Sequence, residues 1–453
     1  MKKILAILLA AIMLLGLVAC TPETEETPVD EPAAKEVINL WSFTDEIPGM
    51  VTRYMELNPE FAEKYEVKTT IIATTDGLYQ PALDAALLAG GEDAPDLYAA
   101  EAAFILKYSQ GEASGFAAAY EDLGIDLSQI ESAEIAQYSV DLGTRPDDGK
   151  VVALGYQATG GAMIYRASIA EEVFGTSDPA EIEAIVGGGS GNWDKFWEAA
   201  ATLKDAGYPI VSGDGDVWHA VENSSSAGWV DGDKLVISPE REAFFDISKD
   251  LYDNGWSNRT TDWQEGWFND MKGTSETPAF CFFGPGWLLN YSMHDQVIAE
   301  GAVTNGDWRV CTPPVGFFWG GTWLLANKDT EQAEGVAEII NWITLDASEN
   351  GLQYHWANGT LNGEGGTKDV VASGKVMAAS NGEVEICGGQ DMFPAFIAGN
   401  AYANGKCLTQ YDERINALFR EQVTQYAIGE KDKDAAIADF KTNVADELGL
   451  SID

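Results

Sequence analysis

The sequence predicts an α/β protein made of two lobes, and two observations support this prediction. Segments typical of strands alternate with segments typical of helices along the first part of the chain, at 37–100, and another helix follows. The chain has 453 residues, which is too long for a single core when domains hold about 100–200 residues. Alternation of this kind is the pattern of a parallel, doubly wound sheet with helices on both faces.

The individual elements of the first part follow in order. They are a β-prone strand at 37–43, a helix at 47–64 interrupted at Asn58-Pro59, a strand at 67–73, an amphipathic helix at 79–88 stopped by Gly90-Gly91, and a strand at 96–100. Ligands of doubly wound sheets bind outside the carboxyl ends of the strands. Trp41 and Asp45, which end the first strand, and Glu101, which ends the third, are therefore candidate ligand-binding residues.

The N-terminus has the layout of a secretory leader. Lys2 and Lys3 precede an apolar stretch that is too short for a membrane span, which needs about 20 residues. The run Leu17-Val18-Ala19-Cys20 resembles the lipobox of bacterial lipoproteins, which implies a signal peptide at 1–19 and a lipid anchor on Cys20. Residues 20–36 follow as a Pro- and Glu-rich segment, predicted to be a disordered tether. We expect the protein on the extracytoplasmic face of the membrane, attached through this lipid alone.

The composition excludes several classes of partner. The formal net charge is −46, and loss of Lys2 and Lys3 with the leader would make it −48. Nucleic acids and anionic lipid headgroups require clustered Lys and Arg, so neither is an expected partner. Carboxylates and 14 tryptophans suit a sugar, since an indole covers the apolar face of a sugar ring and carboxylates accept its hydroxyl protons.

Neither the cysteines nor the histidines predict a metal site. Cys281, Cys311, Cys387 and Cys407 remain beside Cys20, and an extracytoplasmic location permits either two disulfides or free thiols. The three histidines are isolated, and no cysteine lies near one at zinc spacing. Asp214 and Asp216 lie close together in the sequence, but the rest of a calcium loop is absent, which argues against a calcium site. Whether another divalent ion binds near them stays open. No cofactor is expected.

Five stretches in order resemble the extracellular solute-binding protein family 1, the sugar-binding lipoproteins of bacterial ABC importers that include maltose-binding protein. They are the strand with Trp41, the run Ala94-Pro95-Asp96-Leu97, the segment from Asp148-Gly149-Lys150 to Tyr165-Arg166, the run Asn192-Trp193-Asp194-Lys195-Phe196, and the segment from Phe280 to Trp287, which ends in Gly284-Pro285-Gly286-Trp287. The similarity extends over about 37–450. It departs from the family at Arg166, where Asn is common.

This resemblance implies a periplasmic-binding-protein-like fold of type II, with two doubly wound α/β lobes joined by hinge crossings. The N-terminal lobe would take 37–157 plus 313–345, and the C-terminal lobe 158–312 plus 346–453. The crossings would fall near Gly155–Gly161, Val310–Pro314 and Leu345. Glycines suit a bend whose backbone angles change when the lobes close.

The resemblance also implies several ligand-binding residues. Trp287 occupies the position of a tryptophan that stacks on sugar in the family, and Trp218 lies in a segment that lines the cleft in relatives. Gln157 and Thr159 lie at the hinge mouth, Trp319 precedes a Gly-Gly bend, and Phe393 is a further candidate from the C-terminal part. The maltose binder has an acidic contact at the hinge mouth, and its absence here argues against identical specificity.

The sequence therefore predicts a monomeric, non-enzymatic binding protein that captures a neutral mono- or oligosaccharide and delivers it to ABC permease subunits. Two alternatives remain. A surface glycoside hydrolase needs a carboxylate pair, which 73 Asp and Glu residues make easy to find. A binder of a cationic solute such as a polyamine would suit the negative charge.

Overall fold

A five-stranded sheet forms the first lobe, and a three-stranded sheet forms the second. The computed structural model describes residues 34–74, 77–363 and 365–452. The predicted signal peptide, the predicted lipidation of Cys20 and all but the last residues of the predicted tether lie outside these residues. Within them, no helix is long and apolar enough to cross a membrane.

The strands are β1 Glu36–Ser42, β2 Tyr65–Ile71, β3 Leu97–Glu101, β4 Ala153–Gly155, β5 Ala162–Arg166, β6 Val230–Asp231, β7 Lys234–Leu235, β8 Cys281–Gly284, β9 Trp308–Cys311 and β10 Thr322–Ala326. The first sheet has the order β2-β1-β3-β10-β4, and the second has the order β8-β5-β9. A short hairpin pairs β6 with β7.

The helices are α1 Glu46–Leu57, α2 Pro59–Lys64, α3 Tyr79–Ala89, α4 Ile105–Ser109, α5 Ser128–Ser132, α6 Gln137–Gly143, α7 Ala167–Phe174, α8 Pro179–Val186, α9 Asp194–Asp205, α10 Asp214–Glu222, α11 Pro239–Asp253, α12 Glu265–Lys272, α13 His294–Val297, α14 Ala333–Thr344, α15 Leu352–Asn358, α16 Gly374–Ala379, α17 Phe393–Tyr402, α18 Asp412–Ala427 and α19 Lys433–Leu448. Leu288–Met293 forms a π-helix, and Ser114–Phe116, Tyr120–Leu123 and Glu385–Cys387 form 3₁₀ turns.

Strand direction differs between the two sheets. In the first, β1 pairs in parallel with β2 and β3, as the alternating segments predict, whereas β10 runs antiparallel to β3 and β4. In the second, β5 is antiparallel to both neighbours. The α/β fold class is confirmed, but the sheets are mixed rather than purely parallel. The cause is that β10 re-enters the first sheet from the second lobe and not through a helical crossover.

The central strands of both sheets are buried on both faces. Successive residues of a strand point to opposite faces. In β5, Met163 and Tyr165 pack into one hydrophobic core, and Ala162 and Ile164 pack into another. Helices therefore cover each sheet from two sides, which is the layered arrangement that nearly continuous apolar strands require.

Local sequence signals account for several helix ends. Asp178 accepts hydrogen bonds from the backbone N–H groups of Ala180 and Glu181, and Pro179 follows as the first residue of α8. The same helix ends at Gly187, whose φ of +77° is left-handed. Ser238 caps α11 in the same way by accepting from Arg241 N. These ends hold the helices that carry the wall of the second lobe.

Two chain segments connect the sheets and pair with each other. Residues 156–161 lead from β4 to β5, and residues 312–321 lead back from β9 to β10. Gly160 and Phe318 form an antiparallel bridge, and Trp319 N donates to Thr159 O at 3.0 Å. We call this pair of segments the crossing. The lobe boundaries given above stay a prediction.

Candidate functional site

The crossing fixes the predicted site residue Thr159 inside the protein. Thr159 is 1% exposed and its hydroxyl donates to Gly320 O at 2.7 Å. The Tyr138 hydroxyl lies 2.9 Å from Oγ1 of Thr159. Gly320 and Gly321 have φ values of +71° and +113°, which only glycine adopts readily. Thr159 therefore ties the two segments together, and its expected role as a ligand contact does not agree with this burial.

Three indoles meet beside the crossing, and we call Trp263, Trp287 and Trp319 the tryptophan cluster. Trp263 and Trp287 are parallel within 13° with centroids 6.0 Å apart, and Trp287 meets Trp319 at 4.7 Å and 64°. Trp287 Nε1 donates to Trp319 O at 3.1 Å. All three rings keep some exposed surface. Indole faces held in this way at a cleft suit a flat, apolar ligand face.

Trp263 carries backbone strain. Its φ is +66°, and 49% of its side chain is exposed. A bulky residue in the left-handed region costs about 1–3 kcal/mol, and such residues concentrate where ligands bind. Trp263 is not among the residues that the sequence predicts. Its signal was an aromatic residue between polar neighbours, Asp262 and Gln264, outside any periodic run.

His219 packs against Trp319 of the tryptophan cluster. Its ring lies on Trp319 with centroids 3.5 Å apart and planes 13° from parallel. His219 Nε2 lies 3.1 Å from Asp262 Oδ2. Burial lowers the pKa of His219 below its usual 6.5, although Asp262 opposes that shift. The imidazole is therefore neutral at neutral pH, and it presents a flat surface against which Trp319 is fixed.

The acidic side of the site starts from Glu101, at the end of β3. The oxygen Oε2 of Glu101 accepts from Ala103 N at 2.6 Å. A Cβ placed on Gly320 would lie 3.3 Å from Trp287 Nε1 and 3.5 Å from Glu101 Oε1, so the carboxyl and the indole flank the same glycine. Burial raises the pKa of Glu101 to about 7. The structure thus brings two predicted residues, Glu101 and Trp287, together across the crossing.

A cavity of about 150 Å³ continues from Glu101 between β3 and the helices α10 and α18. Glu222 and Asp412 line it from the second lobe, and Trp319 and Gly320 line it from the crossing. Burial raises the pKa of Glu222 to about 7 and that of Asp412 to about 6. Neither was predicted: Asp412 begins α18, where an acidic residue is common, and Glu222 ends α10, with no motif around it that points to a ligand.

Several polar side chains surround Asp369, which is 1% exposed. Its carboxylate accepts from Gln157 Nε2 at 3.2 Å, Asn290 Nδ2 at 3.2 Å and Trp356 Nε1 at 3.4 Å. Gln157, a predicted ligand contact, is 8% exposed, and its amide nitrogen already donates to Asp369. Burial, reinforced by Asp369, raises the pKa of nearby Glu46 to about 8.

The other predicted residues are partly or fully exposed, or they lie inside the cores. Trp41 is half-buried, with its carbonyl 3.4 Å from the Tyr79 hydroxyl, and Asp45 is exposed just before α1. Trp218 is 3% exposed on α10, between Phe244 at 4.9 Å and Phe419 at 5.2 Å, and Phe393 is 1% exposed. Both rings are core side chains, so their expected contacts with a ligand stay predictions that this packing does not support.

The cysteines and the pair Asp214 and Asp216 have the following partners within the described residues. Cys281, Cys311, Cys387 and Cys407 are all free. Asp214 pairs with Arg420 at 2.9 Å, whereas Asp216 accepts from Gly213 N at 2.9 Å. In the part of the chain that the structure describes, no three His, Cys, Asp or Glu side chains are grouped to hold a metal ion.

Solved structures share this fold. An extracellular solute-binding protein of family 1 has a TM-score of 0.72 and 18% identity, over 91% of this chain and 99% of that chain. The galacto-N-biose-/lacto-N-biose I-binding protein of the ABC transporter from Bifidobacterium longum, in complex with lacto-N-biose, has a TM-score of 0.65 and 16% identity, over 92% and 99%. An ABC transporter associated binding protein from B. animalis subsp. lactis Bl-04, in complex with beta-1,6-galactobiose, has 0.62 and 18%, over 92% and 100%.

Sequence comparison gives the family. No curated protein sequence matches the chain. A family model described as bacterial extracellular solute-binding protein matches residues 56–383, which is more than half of the chain. The periplasmic-binding-protein-like fold of type II, expected from the ordered motifs, is confirmed by the similar structures. The chain belongs to the bacterial extracellular solute-binding proteins.

Proposed function

We propose that this protein captures a sugar or oligosaccharide at the tryptophan cluster, between its two lobes, and delivers it to the permease of an ABC importer. The Cys20 motif supports a lipid anchor on the extracytoplasmic face of the membrane. The sugars named for the similar Bifidobacterium structures support the ligand class. The protein acts as a monomer without catalysis of its own.

The observation that carries this proposal is the tryptophan cluster beside the crossing. Trp263, Trp287 and Trp319 offer indole faces, and Glu101 lies within reach of the same glycine as Trp287. A sugar ring has an apolar face for an indole and hydroxyl groups for a carboxylate. The site therefore combines the two contacts that a sugar needs.

Closure of the lobes on the ligand follows from the same geometry. Glu101 belongs to the first lobe, Trp263 and Trp287 belong to the second, and Trp319 lies on the crossing. A ligand that touches all of them binds the closed form more tightly than the open form, and this difference drives closure. Gly320 and Gly321, with their positive φ values, are the positions where the backbone turns.

Calorimetric titration of the full chain with mono- and disaccharides tests the proposal. We expect saturable binding of at least one sugar that is recovered intact by chromatography. Cleavage of the sugar would replace this function with that of a glycoside hydrolase, whose two carboxylates act on the bound bond. Binding of spermidine alone, abolished by salt, would replace the sugar with a polyamine.

A further inference from the structure

The cavity between β3, α10 and α18 adjoins the tryptophan cluster and has a different chemistry. Trp319 and Gly320 form the wall that the two share. The cavity volume of about 150 Å³ equals that of roughly five water molecules at 30 Å³ each. It is therefore large enough for a substituent of a ligand whose ring lies on the cluster, and too small for an oligosaccharide.

Two oxygen acceptors on the cavity wall have no hydrogen-bond donor among the described residues. Asp412 is 7% exposed, and its Oδ1 accepts from Thr409 N at 3.0 Å while its Oδ2 is buried and unpartnered. Asn223 donates through Nδ2 to Phe318 O at 2.8 Å, and its Oδ1 is likewise buried and unpartnered. A buried acceptor without a donor costs about 1–3 kcal/mol. A ligand that donates several hydrogens would remove that cost.

The charges around the cavity favour a cation. Glu101 and Glu222 line it from opposite lobes, with Asp412 and Glu413 between them on α18. The charge of Glu101 acts on Glu222, as does that of Asp412, and the charge of Glu413 acts on Glu101. Four carboxyl groups in one small, partly enclosed space repel one another in their ionised forms.

Two arginines face these carboxyl groups and only partly compensate them. Arg241 lies 4.2 Å from the Trp229 ring and donates to the backbone oxygens of Ala227 and Glu222. Arg420 is already paired with Asp214 at 2.9 Å. The carboxyl groups therefore outnumber the guanidinium groups around the cavity, and one of the latter has a carboxylate partner of its own. Burial, together with the charges of the neighbouring carboxyl groups, raises the pKa of Glu101 and that of Glu222 to about 7.

We infer that this cavity receives a protonated amino group of the ligand, so that the preferred ligand is an amino-substituted sugar and not the neutral sugar expected from the sequence. This inference rests on the proposed sugar-binding function. An ammonium group presents three N–H donors to the unpartnered oxygens and places its charge among the carboxylates. A neutral hydroxyl provides one donor and no charge.

The test compares matched sugars on the full chain by calorimetry. The probes are glucosamine, galactosamine and the disaccharide of glucosamine, each with a counterpart that carries a hydroxyl or an N-acetyl group in place of the amine. We expect the amino forms to bind at least about tenfold more tightly than both counterparts. We also expect the difference to shrink as the salt concentration rises.

Two isosteric variants locate the effect. Glu222→Gln keeps the oxygen that accepts from Asn416 Nδ2 and removes the charge. Asp412→Asn keeps one oxygen for Thr409 and also removes a charge. Each should abolish most of the preference for the amino form, because it lowers the affinity for the amino form far more than the affinity for the hydroxyl form. Glu421→Gln, an exposed carboxylate on the same helix, is the matched control and should keep the preference.

Each other outcome has one meaning. Equal or weaker binding of every amino form, including no binding at all, overturns the inference. So does a preference that survives both Glu222→Gln and Asp412→Asn. If a neutral sugar binds without any preference for the amine, the inference fails and the proposed function stands. If spermidine binds and no sugar does, the proposed function fails as well.

Discussion

Trp319 lies flat on His219, with ring centroids 3.5 Å apart and planes within 13° of parallel. The stack joins the crossing to helix α10 of the second lobe, and Asp262 holds the far side of the imidazole at 3.1 Å. A ring fixed in this way is oriented before a ligand arrives, which reduces the entropy lost on binding. Trp319 is therefore both a wall of the site and a part of the path between the lobes.

Replacement of His219 should weaken ligand binding without touching the ligand. In His219→Ala the Trp319 ring loses its support, and we expect the affinity to fall by about 1 kcal/mol, the usual worth of an aromatic pair. Calorimetry with the best sugar measures the loss. His294→Ala, which removes an exposed histidine without an aromatic stack, is the control. Equal affinity in His219→Ala and the wild type would show that the stack does not position Trp319.

Trp287 and Trp218 should respond in opposite ways. Trp287→Ala removes an indole of the cluster, and we expect the affinity to fall by about 2–4 kcal/mol with a small change in stability. Trp218→Ala opens a cavity among Phe244 and Phe419, so the free energy of unfolding should fall by about 3–5 kcal/mol with the affinity of the folded protein retained. Thermal unfolding and calorimetry on both variants separate the effects. The reverse pattern would restore Trp218 to the site and remove Trp287.

Gly161 should not tolerate a side chain. A Cβ there would lie 1.9 Å from Cζ of Phe317, a ring with no exposed surface. Gly161→Ala should therefore lower the free energy of unfolding by at least about 1–3 kcal/mol, as overpacking does. Gly49→Ala is the control, since nothing lies within 4 Å of its Cβ and alanine favours a helix. Equal melting temperatures in the two variants would contradict close packing at the crossing.

Glu46 should make the ligand-free protein less stable as the pH rises. Burial, with Asp369 and Asp45, raises its pKa from 4.5 to about 8. The folded state therefore holds a proton that the unfolded state releases, and this contribution to stability is present below pH 4.5 and lost as the pH rises to about 8. Relative to the wild type, Glu46→Gln should gain at least about 1 kcal/mol across that window. Urea unfolding at several pH values measures the gain, and a constant difference would contradict the burial of this carboxyl group.

The thiols should be present but protected. Cys281, Cys311 and Cys387 are buried, and Cys407 is half-buried. Apart from Cys20, which lies outside the described residues, we expect Ellman's reagent to label at most Cys407 in the native protein and all four of these cysteines after denaturation without reductant. Burial raises the pKa of Cys281 and Cys311 well above the usual value, which also suppresses their reaction. Fewer than four thiols in the denatured chain would indicate a disulfide.

The strand pattern predicted the fold class because it depends on local hydrophobicity. β1 and β3, with Leu40 and Tyr98 buried, follow the apolar runs directly. The antiparallel insertion of β10 could not be predicted from local hydrophobicity, since it depends on where the chain returns after some 160 residues of the second lobe. Sequence periodicity says nothing about that return.

The site could be predicted from the sequence only in part, for a similar reason. Glu101 was predicted because it ends a strand and Trp287 because of its position in a family motif, and the structure places both around Gly320. Trp218 was predicted as a ligand contact because the glycines and aspartates around it are typical of a loop, whereas Gly213 and Asp216 begin a helix that turns the ring inward. Trp263 was missed because its exposure results from a left-handed backbone, which no sequence pattern indicates.

The most direct test of the central claim is a fluorescence titration of the full chain with the sugar that binds best by calorimetry. If the ligand lies on the tryptophan cluster, saturation should change the emission, and Trp287→Phe together with Trp263→Phe should remove most of the change and weaken the binding. Trp342→Phe, in the core of the first lobe, should keep both. An unchanged response and affinity in the cluster variants would show that the sugar binds elsewhere and would contradict the account.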